Sequence, residues 1–175
     1  SGFKIAAVIG DDVMDILYEY ESETIIETGA SLQDLNNVLS ANAYCGVSGI
    51  VDALRGGANI IVTGRVADPS LFLAPLVYEF NWKMDDYDLL GRGTCMGHLL
   101  ECAAQVMGGY YADPGYKDVP DLWNIGFPIA EVRRDGSFLL SKLPQAGGMV
   151  TVDTVKEQLL YEIQNPAHYF TPDVV

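Results

Sequence analysis

The sequence predicts an α/β fold with three layers, in which helices flank a mixed, mostly parallel sheet and a β-hairpin lies near the C-terminal third. Two short apolar runs, at residues 4–9 and 58–63, predict buried strands. Segments with helical spacing of apolar residues follow each run. Further along the chain, Asp135-Gly136 separates two short apolar segments, which predicts a hairpin with a tight turn. Strands that alternate with helices and then form a hairpin indicate this architecture.

The helices are predicted from apolar periodicity together with their start and stop residues. Ser31 is a suitable N-cap for one helix, and Pro69 stands near the first position of another. Pairs of glycines end two of the periodic segments. We predict helices over residues 32–39, 46–54, 70–80, 94–107 and 152–163.

The length of 175 residues predicts a single α/β domain over residues 1–175, because it suffices for one core and is short for two. The chain starts almost directly on a strand that reads as buried. The neighbours of such a strand in a parallel sheet must come from elsewhere in the protein. We therefore expect these residues to be part of a longer domain or one member of a tight assembly.

Composition excludes two classes of partner. The formal charge is −14 with only 10 Lys and Arg residues, too few for the phosphate contacts on which nucleic-acid affinity depends, and an anionic membrane surface would repel the chain. No run approaches the roughly 20 apolar residues of a membrane span. The three cysteines are unlike a disulfide framework. We expect a cytoplasmic protein that binds neither nucleic acid nor membrane.

The turn between the second strand and the next helix is the strongest candidate site. Open α/β sheets bind ligands where strands end. Gly64 permits the turn, Arg65 can clamp a carboxylate or phosphate, and the helix start at Ser70 offers N–H groups to an anion. Asp68 can serve as a base, a hydroxyl acceptor or a metal ligand. The alternative is an Arg65–Asp68 ion pair that only holds the loop.

Two further candidates lie in the first quarter of the chain. Asp11 and Asp12 follow the first strand, where adjacent carboxylates can bind a divalent metal or ligand hydroxyls. Equally, one of them can cap a helix while the other faces water. Asn42 belongs to a polar-aromatic segment that either lines a substrate pocket or shapes a loop.

One helical face carries an unusual set of side chains. His98, Glu101, Cys102 and Gln105 follow the spacing i, i+3, i+4 and i+7 and so share a face. His98 can act as acid or base with Glu101 as its partner, and Cys102 is a nucleophile only if its pKa is lowered. Zinc is not favoured, because no CxxC pair is present. A purely structural face remains the alternative. We take His98, Glu101 and Asp68 as candidate catalytic residues.

Gly147-Gly148 forms a glycine-rich turn before the last helix and is a candidate anion cradle. It lacks the Lys of a P-loop, and no GxGxxG or GxSxG motif is present in the chain, so standard nucleotide chemistry is not predicted. The sequence requires no cofactor, and a divalent metal stays an option.

Seven segments, in order along nearly the whole chain, form a recognisable pattern. They are GDD at 10–12, ANAYCG at 41–46, TGRVADPSL at 63–71, GHLLECAAQVMGG at 97–109, GFPIAEV at 126–132, GGMVTVDTVKEQLLYEI at 147–163 and NPAHYFTPDVV at 165–175. With this pattern the chain resembles the acyclic terpene utilisation (AtuA-type) family. Family members usually extend further on both sides, so the resemblance implies that these residues are an internal part of the family's domain.

The resemblance implies a cytoplasmic bacterial protein of acyclic-terpene breakdown, where the intermediates are branched acyl-CoA esters. It assigns no catalytic residue. Our leading hypothesis is an enzyme or enzyme subunit of lyase or hydratase type that acts on a branched carboxylic acid or its acyl-CoA ester. The alternatives are a non-catalytic, metabolite-binding partner subunit and a metal-dependent hydrolase built on Asp11, Asp12 and His98. We expect a homo-oligomer or association with a second polypeptide.

Overall fold

The computed structural model describes residues 2–163, 165, 167 and 169–174. Part of the closing motif, namely Pro166, His168 and Val175, therefore lies outside the described residues. The strands and α-helices follow in the order β1 (Ile5–Val8), α1 (Ser48–Arg55), β2 (Ile60–Thr63), α2 (Ser70–Phe80), α3 (Tyr87–Glu101), β3 (Pro128–Val132), β4 (Phe138–Lys142) and α4 (Val152–Leu159). Short 3₁₀ helices cover Met14–Tyr20, Leu32–Asp34, Ala103–Met107 and Leu122–Asn124.

The predicted α/β class is confirmed, and so are a parallel strand pair and the C-terminal hairpin. β1 pairs with β2 in parallel, with Ile5 opposite Ile60, and β3 pairs with β4 antiparallel around the turn at Gly136. The strands of the described residues form two separate two-stranded sheets, whereas one mixed sheet was expected. Segments of irregular backbone and helix separate the two pairs along the chain.

The burial of the first two strands was predicted wrongly. Side chains alternate between half-buried and exposed along both strands, and Ile5, Ile60 and Val62 are 67%, 43% and 59% exposed. Helix α1 packs on the inner face, where Val8 and Ile61 contact the core. The apolar residues of the other face are not covered by the described part of the chain.

Two hydrophobic clusters stabilise the fold. The larger joins α1, α2 and the start of α3, and its members include Val47, Leu73 and Leu90. The smaller lies at the end of α3 and contains Leu99, Val106 and Met107, packed against the hairpin and α4, so both clusters include residues of α3.

Two helix predictions were wrong in extent. The helix expected after Ser31 is only the 3₁₀ turn Leu32–Asp34, because Leu35 is extended and Asn37 adopts a left-handed φ of 60°. The helix expected over residues 94–107 begins earlier, at Tyr87, where the Asp86 side chain accepts a hydrogen bond from the N–H of Leu89. It ends at Glu101, and a 3₁₀ turn follows. The predictions of α1 and α2 are confirmed, and α4 ends four residues before its predicted limit.

Candidate functional site

The turn after β2 is held in place by Asp11. The Asp11 carboxylate accepts a hydrogen bond from the Arg65 N–H and another from Asn42 Nδ2 at 3.0 Å. The Arg65 N–H bond is the main reason why the pKa of Asp11 lies below its usual value. A Cβ added at Gly64 would overlap Asp11 Oδ1, so only glycine allows this close approach. Asp11 and Asn42 thus shape the candidate turn.

Arg65 lies at the rim of a cleft of about 350 Å³. Its guanidinium carbon lies 5.6 Å from the centre of the exposed Tyr44 ring, a cation–π arrangement that orients the side chain. The cleft is lined by Asp11, Asn42, Gly64, Arg65 and Asp68, among others. Of the ion pairs among the described residues, none joins Arg65 to Asp68. The alternative role for Arg65, an ion pair with Asp68 that only holds the loop, is therefore not observed. The Arg65 guanidinium is available to bind an anion.

A second cleft of about 220 Å³ adjoins the first, and Asp68 lines both. Its other walls include His98, Glu101, Glu162 and Tyr169. We name the two clefts together the carboxyl cleft. The three candidate catalytic residues predicted from two distant segments thus meet in one place.

Close packing of α3 on the start of α2 produces this convergence. A Cβ at Gly97 would lie 2.6 Å from the carbonyl oxygen of Pro69 and 2.9 Å from its Cα, so glycine lets α3 cross at backbone contact. Glu101 lies one turn beyond Gly97 on the same side of α3. Since Asp68 immediately precedes Pro69, this crossing brings Glu101 to Asp68.

Glu101 and Asp68 form a carboxyl pair. Burial, and after it the negative charge of nearby Asp68, raise the pKa of Glu101 to about 7. The two side chains are also within hydrogen-bonding reach, which requires one of them to carry a proton. The Glu101 side chain is only 11% exposed. A carboxyl group of this kind exchanges its proton at neutral pH, as general acids and bases do.

His98 is held by α4 and contacts Glu101 from behind. Its Nε2 lies 3.0 Å from the carbonyl oxygen of Gln158 and must donate there, while Gln158 Nε2 donates to the carbonyl oxygen of His98 at 3.3 Å. The remaining nitrogen, Nδ1, lies 3.7 Å from Glu101 Oε1 and has no hydrogen-bond partner in the described part of the chain. Burial lowers the pKa of His98, so a neutral imidazole presents a lone pair towards Glu101.

Cys102 does not have the environment of a nucleophile. Burial and the neighbouring Glu101 raise the pKa of its thiol to about 11, whereas an activated thiol needs a lowered pKa. Cys102 also caps the end of α3, after which Ala103 takes a φ of 48°. Gln105 therefore lies in a 3₁₀ turn. The helical face that was predicted to extend from His98 to Gln105 ends at Cys102.

Ser70 and the two glycines are engaged by the protein itself. The buried Ser70 hydroxyl donates to Asp173 Oδ2 at 2.9 Å. The N–H of Gly147 donates to the carbonyl oxygen of Asn124, and that of Gly148 to Pro120. These glycines lie away from the carboxyl cleft, so the turn predicted to cradle an anion has no free N–H at either glycine.

Asp12 and Asp11 are both used in local structure. Asp12 Oδ1 accepts a hydrogen bond from the N–H of Met14 at 3.0 Å, while Asp11 binds the turn at Arg65. Among the described residues, no group of three or more His, Cys, Asp and Glu side chains is arranged to hold a metal ion. The geometry therefore gives the metal-hydrolase hypothesis no specific support.

Three side chains of the site escaped the sequence reasoning. Tyr169 and Glu162 line the carboxyl cleft, and burial, Glu101 and Asp68 raise the pKa of the Tyr169 phenol. Asp173 accepts the Val47 N–H at 3.0 Å as well as the Ser70 hydroxyl, and so joins the starts of α1 and α2. All three lie after α4 in irregular backbone, where no periodic pattern marks them.

The longest described helix, α3, has 15 residues, and no helix of the described part is long and apolar enough to cross a membrane.

Comparison with known proteins gives one match. No curated protein and no solved structure matches the chain. The model of the family described as "Acyclic terpene utilisation family protein AtuA" matches residues 1–175, the whole chain. The chain therefore belongs to the acyclic terpene utilisation family.

Proposed function

We propose that this chain is an enzyme, or the subunit of an enzyme, that moves protons on a branched carboxylic acid or its acyl-CoA ester in a lyase or hydratase reaction. The observation that supports the proposal most directly is the Asp68–Glu101 carboxyl pair, one member of which has a pKa of about 7. Addition or removal of water across a carbon–carbon bond needs one acid and one base in the same cleft. Arg65 at the adjoining rim supplies an anchor for a carboxylate or a thioester oxygen.

The proton movements balance within the pair. In a dehydration, Asp68 takes the proton from the carbon next to the carbonyl, and the electron pair of that bond forms the carbon–carbon double bond. Protonated Glu101 gives its proton to the departing hydroxyl, which leaves as water. Asp68 then carries a proton and Glu101 has lost one. One transfer across their hydrogen bond restores the starting state, and hydration follows the same steps in reverse.

His98 is a positioning residue in this proposal. It is 4% exposed, its Nε2 is committed to Gln158 and its Nδ1 faces Glu101, so its ring lines the site while neither nitrogen is aimed at the substrate. Its Nδ1 lone pair faces Glu101 Oε1 at 3.7 Å, beyond hydrogen-bonding distance, and so acts on the Glu101 carboxyl through the polarity of the ring. His98→Gln should therefore shift the pH at which Glu101 titrates, and it should also lower stability, because the bond to Gln158 joins α3 and α4.

The test needs no knowledge of the complete reaction. The protein is incubated in D₂O with branched acyl-CoA esters and free acids, and exchange of deuterium at the carbon next to the carbonyl is followed by NMR. Asp68→Asn should slow this exchange by about 100-fold or more, the usual contribution of a general base. Asp12→Asn is the matched control, because Asp12 is an exposed carboxylate that only accepts a bond from Met14.

Two outcomes would count against the enzyme. If Asp68→Asn and Asp12→Asn retain equal exchange rates, Asp68 is not the base. If no compound of the panel exchanges with the unmodified protein, the second candidate gains, namely a metabolite-binding subunit that completes the site of another chain. The observation behind that candidate is the exposed apolar face of β1 and β2, with Ile5 67% and Val62 59% exposed. Light scattering and co-purification of a stoichiometric second polypeptide test it.

The proposal places the protein in the cytoplasm, where its cysteines stay reduced. Cys45, Cys95 and Cys102 are free thiols in the structure.

A further inference from the structure

A cavity of about 320 Å³ lies beside the carboxyl cleft, between α3, α4 and the segment that follows α4. Its walls are mainly apolar and include Gly91 and Cys95 on α3, Leu159 at the end of α4, and Ile163 and Val174 from the segment that follows it. We name it the chain cavity. A mostly apolar cavity of a few hundred Å³ with few polar groups is typical of a small-molecule site.

The chain cavity and the carboxyl cleft share a wall. His98 and Tyr169 line both, and their rings meet edge to face with centres 5.5 Å apart. On α3 the positions Gly91, Cys95 and His98 lie on one face. Glu101 is the next residue of that face, about 9 Å along the helix axis from Cys95. One ligand can therefore contact both sites if its polar and apolar ends are separated by about that length.

Gly91 leaves the cavity open where it faces α3. A Cβ added at Gly91 would meet no atom within 4 Å, whereas one at Gly93 or Gly97 of the same helix would collide with a packed neighbour. An apolar ligand that displaces water from this space gains dispersion contacts with the apolar walls. A volume of this size holds at most about ten non-hydrogen atoms, at the roughly 30 Å³ that one water molecule occupies in the liquid.

We propose that the chain cavity binds the aliphatic chain of a small carboxylic acid or acyl ester whose carbonyl end lies in the carboxyl cleft. The chain cavity thereby selects the substrate by the length of its chain, with Gly91 as the residue that sets the available space. This assignment rests on the proposed function for the identity of the polar end, but the apolar end is tested without it.

The experiment compares ligands with one head group and chains of different length. Dissociation constants for acetate, 4-methylpentanoate and 7-methyloctanoate are measured by NMR titration of the α3 amides. Each methylene that enters an apolar site tightens binding roughly fourfold, so 7-methyloctanoate, whose extended chain matches the distance from Glu101 to Cys95, should bind at least about tenfold more tightly than acetate. The alcohol 7-methyloctan-1-ol is titrated as well, because it carries the chain without the acid.

Gly91→Leu should fill the far end of the cavity and weaken the binding of 7-methyloctanoate and of the alcohol by about tenfold, with acetate unaffected. Gly91→Ala is the matched control at the same position, since one methyl leaves most of the volume free. Cys95→Leu, from the next turn of α3, is a second variant that narrows the same space. Thermal unfolding of all three variants shows whether the fold is retained.

The outcomes separate the two proposals. Loss of the chain-length dependence in Gly91→Leu and Cys95→Leu, with binding of the alcohol lost in parallel, supports the chain cavity even if Asp68→Asn leaves proton exchange unchanged. Equal affinities of the unmodified protein for acetate and 7-methyloctanoate would overturn the cavity assignment. An unchanged dependence of affinity on chain length in both Gly91→Leu and Cys95→Leu would also overturn the cavity assignment. Neither result would affect the evidence for the Asp68–Glu101 carboxyl pair.

Discussion

Two glycine-containing turns of this molecule look alike in sequence but have different roles. The turn at Gly64 follows β2, and the turn at Gly147-Gly148 precedes α4; both require glycine because another group lies where a Cβ would be. At Gly64 that group is the Asp11 carboxylate, and the neighbouring Arg65 and Asp68 side chains remain exposed in a cleft. At Gly147 it is the backbone carbonyl of Asp121, and the turn is buried.

The difference shows what makes a glycine turn a binding site. In both turns the glycine N–H donates to a backbone carbonyl of another segment, that of Gly64 to Val8 and that of Gly147 to Asn124. The turn at Gly64 differs because it also carries Arg65 and Asp68, whose side chains are exposed in a cleft. Substitutions near Gly64 should therefore alter chemistry more than stability, and substitutions at Gly147 should do the reverse.

The largest effect on stability is expected for Gly147→Ala. The new methyl would overlap the Asp121 carbonyl oxygen, so backbone must move, and we expect a loss of about 3 kcal/mol or more of unfolding free energy. Urea unfolding measures this. Gly91→Ala is the control, because its methyl meets open space and should raise stability by about 0.5–1 kcal/mol. Equal stabilities of the two variants would contradict the contrast between the turns.

Glu101→Gln should raise stability at alkaline pH. The pKa of Glu101 is about 7 in the folded protein against a reference value of 4.5, so the stability that this group contributes is complete below pH 4.5 and is lost as pH rises through 7. The variant has no such loss. Relative to the unmodified protein it should gain at most about 3 kcal/mol between pH 4.5 and pH 8. A pH-independent difference between the two unfolding curves would contradict the buried carboxyl.

Ser70→Ala should give the smallest of these effects. It removes the buried hydrogen bond from Ser70 to the Asp173 carboxylate, which also keeps its bonds from the Val47 N–H. We expect a loss of about 1–2 kcal/mol in unfolding free energy. The rate of proton exchange on substrates should be unchanged, because the Ser70 hydroxyl is bonded to the protein's own Asp173. A large loss of exchange with normal stability would instead make Ser70 a ligand contact.

Local patterns in the sequence predicted much of this structure. The strand, turn and helix around Arg65 and Asp68 follow from an apolar run, a glycine and a proline, and helical spacing placed His98 and Glu101 on one face. The face did not continue to Gln105, because the helix ends at Glu101 and the backbone turns left-handed at Ala103.

Long-range contacts could not be predicted. The meeting of Glu101 with Asp68 depends on backbone contact between Gly97 and Pro69, which is a property of tertiary packing. Tyr169, Glu162 and Asp173 lie in irregular backbone, where neither periodicity nor spacing indicates a role. The exposure of β1 and β2 was missed because an apolar run reads the same whether one face of the strand or both are covered.

The most direct test of the carboxyl pair is an NMR titration of the side-chain carboxyl carbons in the unmodified protein and in Asp68→Asn. The account predicts that one glutamate, absent from the spectrum of Glu101→Gln, titrates near pH 7 in the unmodified protein. In Asp68→Asn its midpoint should move to lower pH, because the neighbouring negative charge is gone, while burial keeps it above 4.5. A Glu101 midpoint near 4.5 in the unmodified protein, or one that Asp68→Asn leaves unchanged, would contradict the pair.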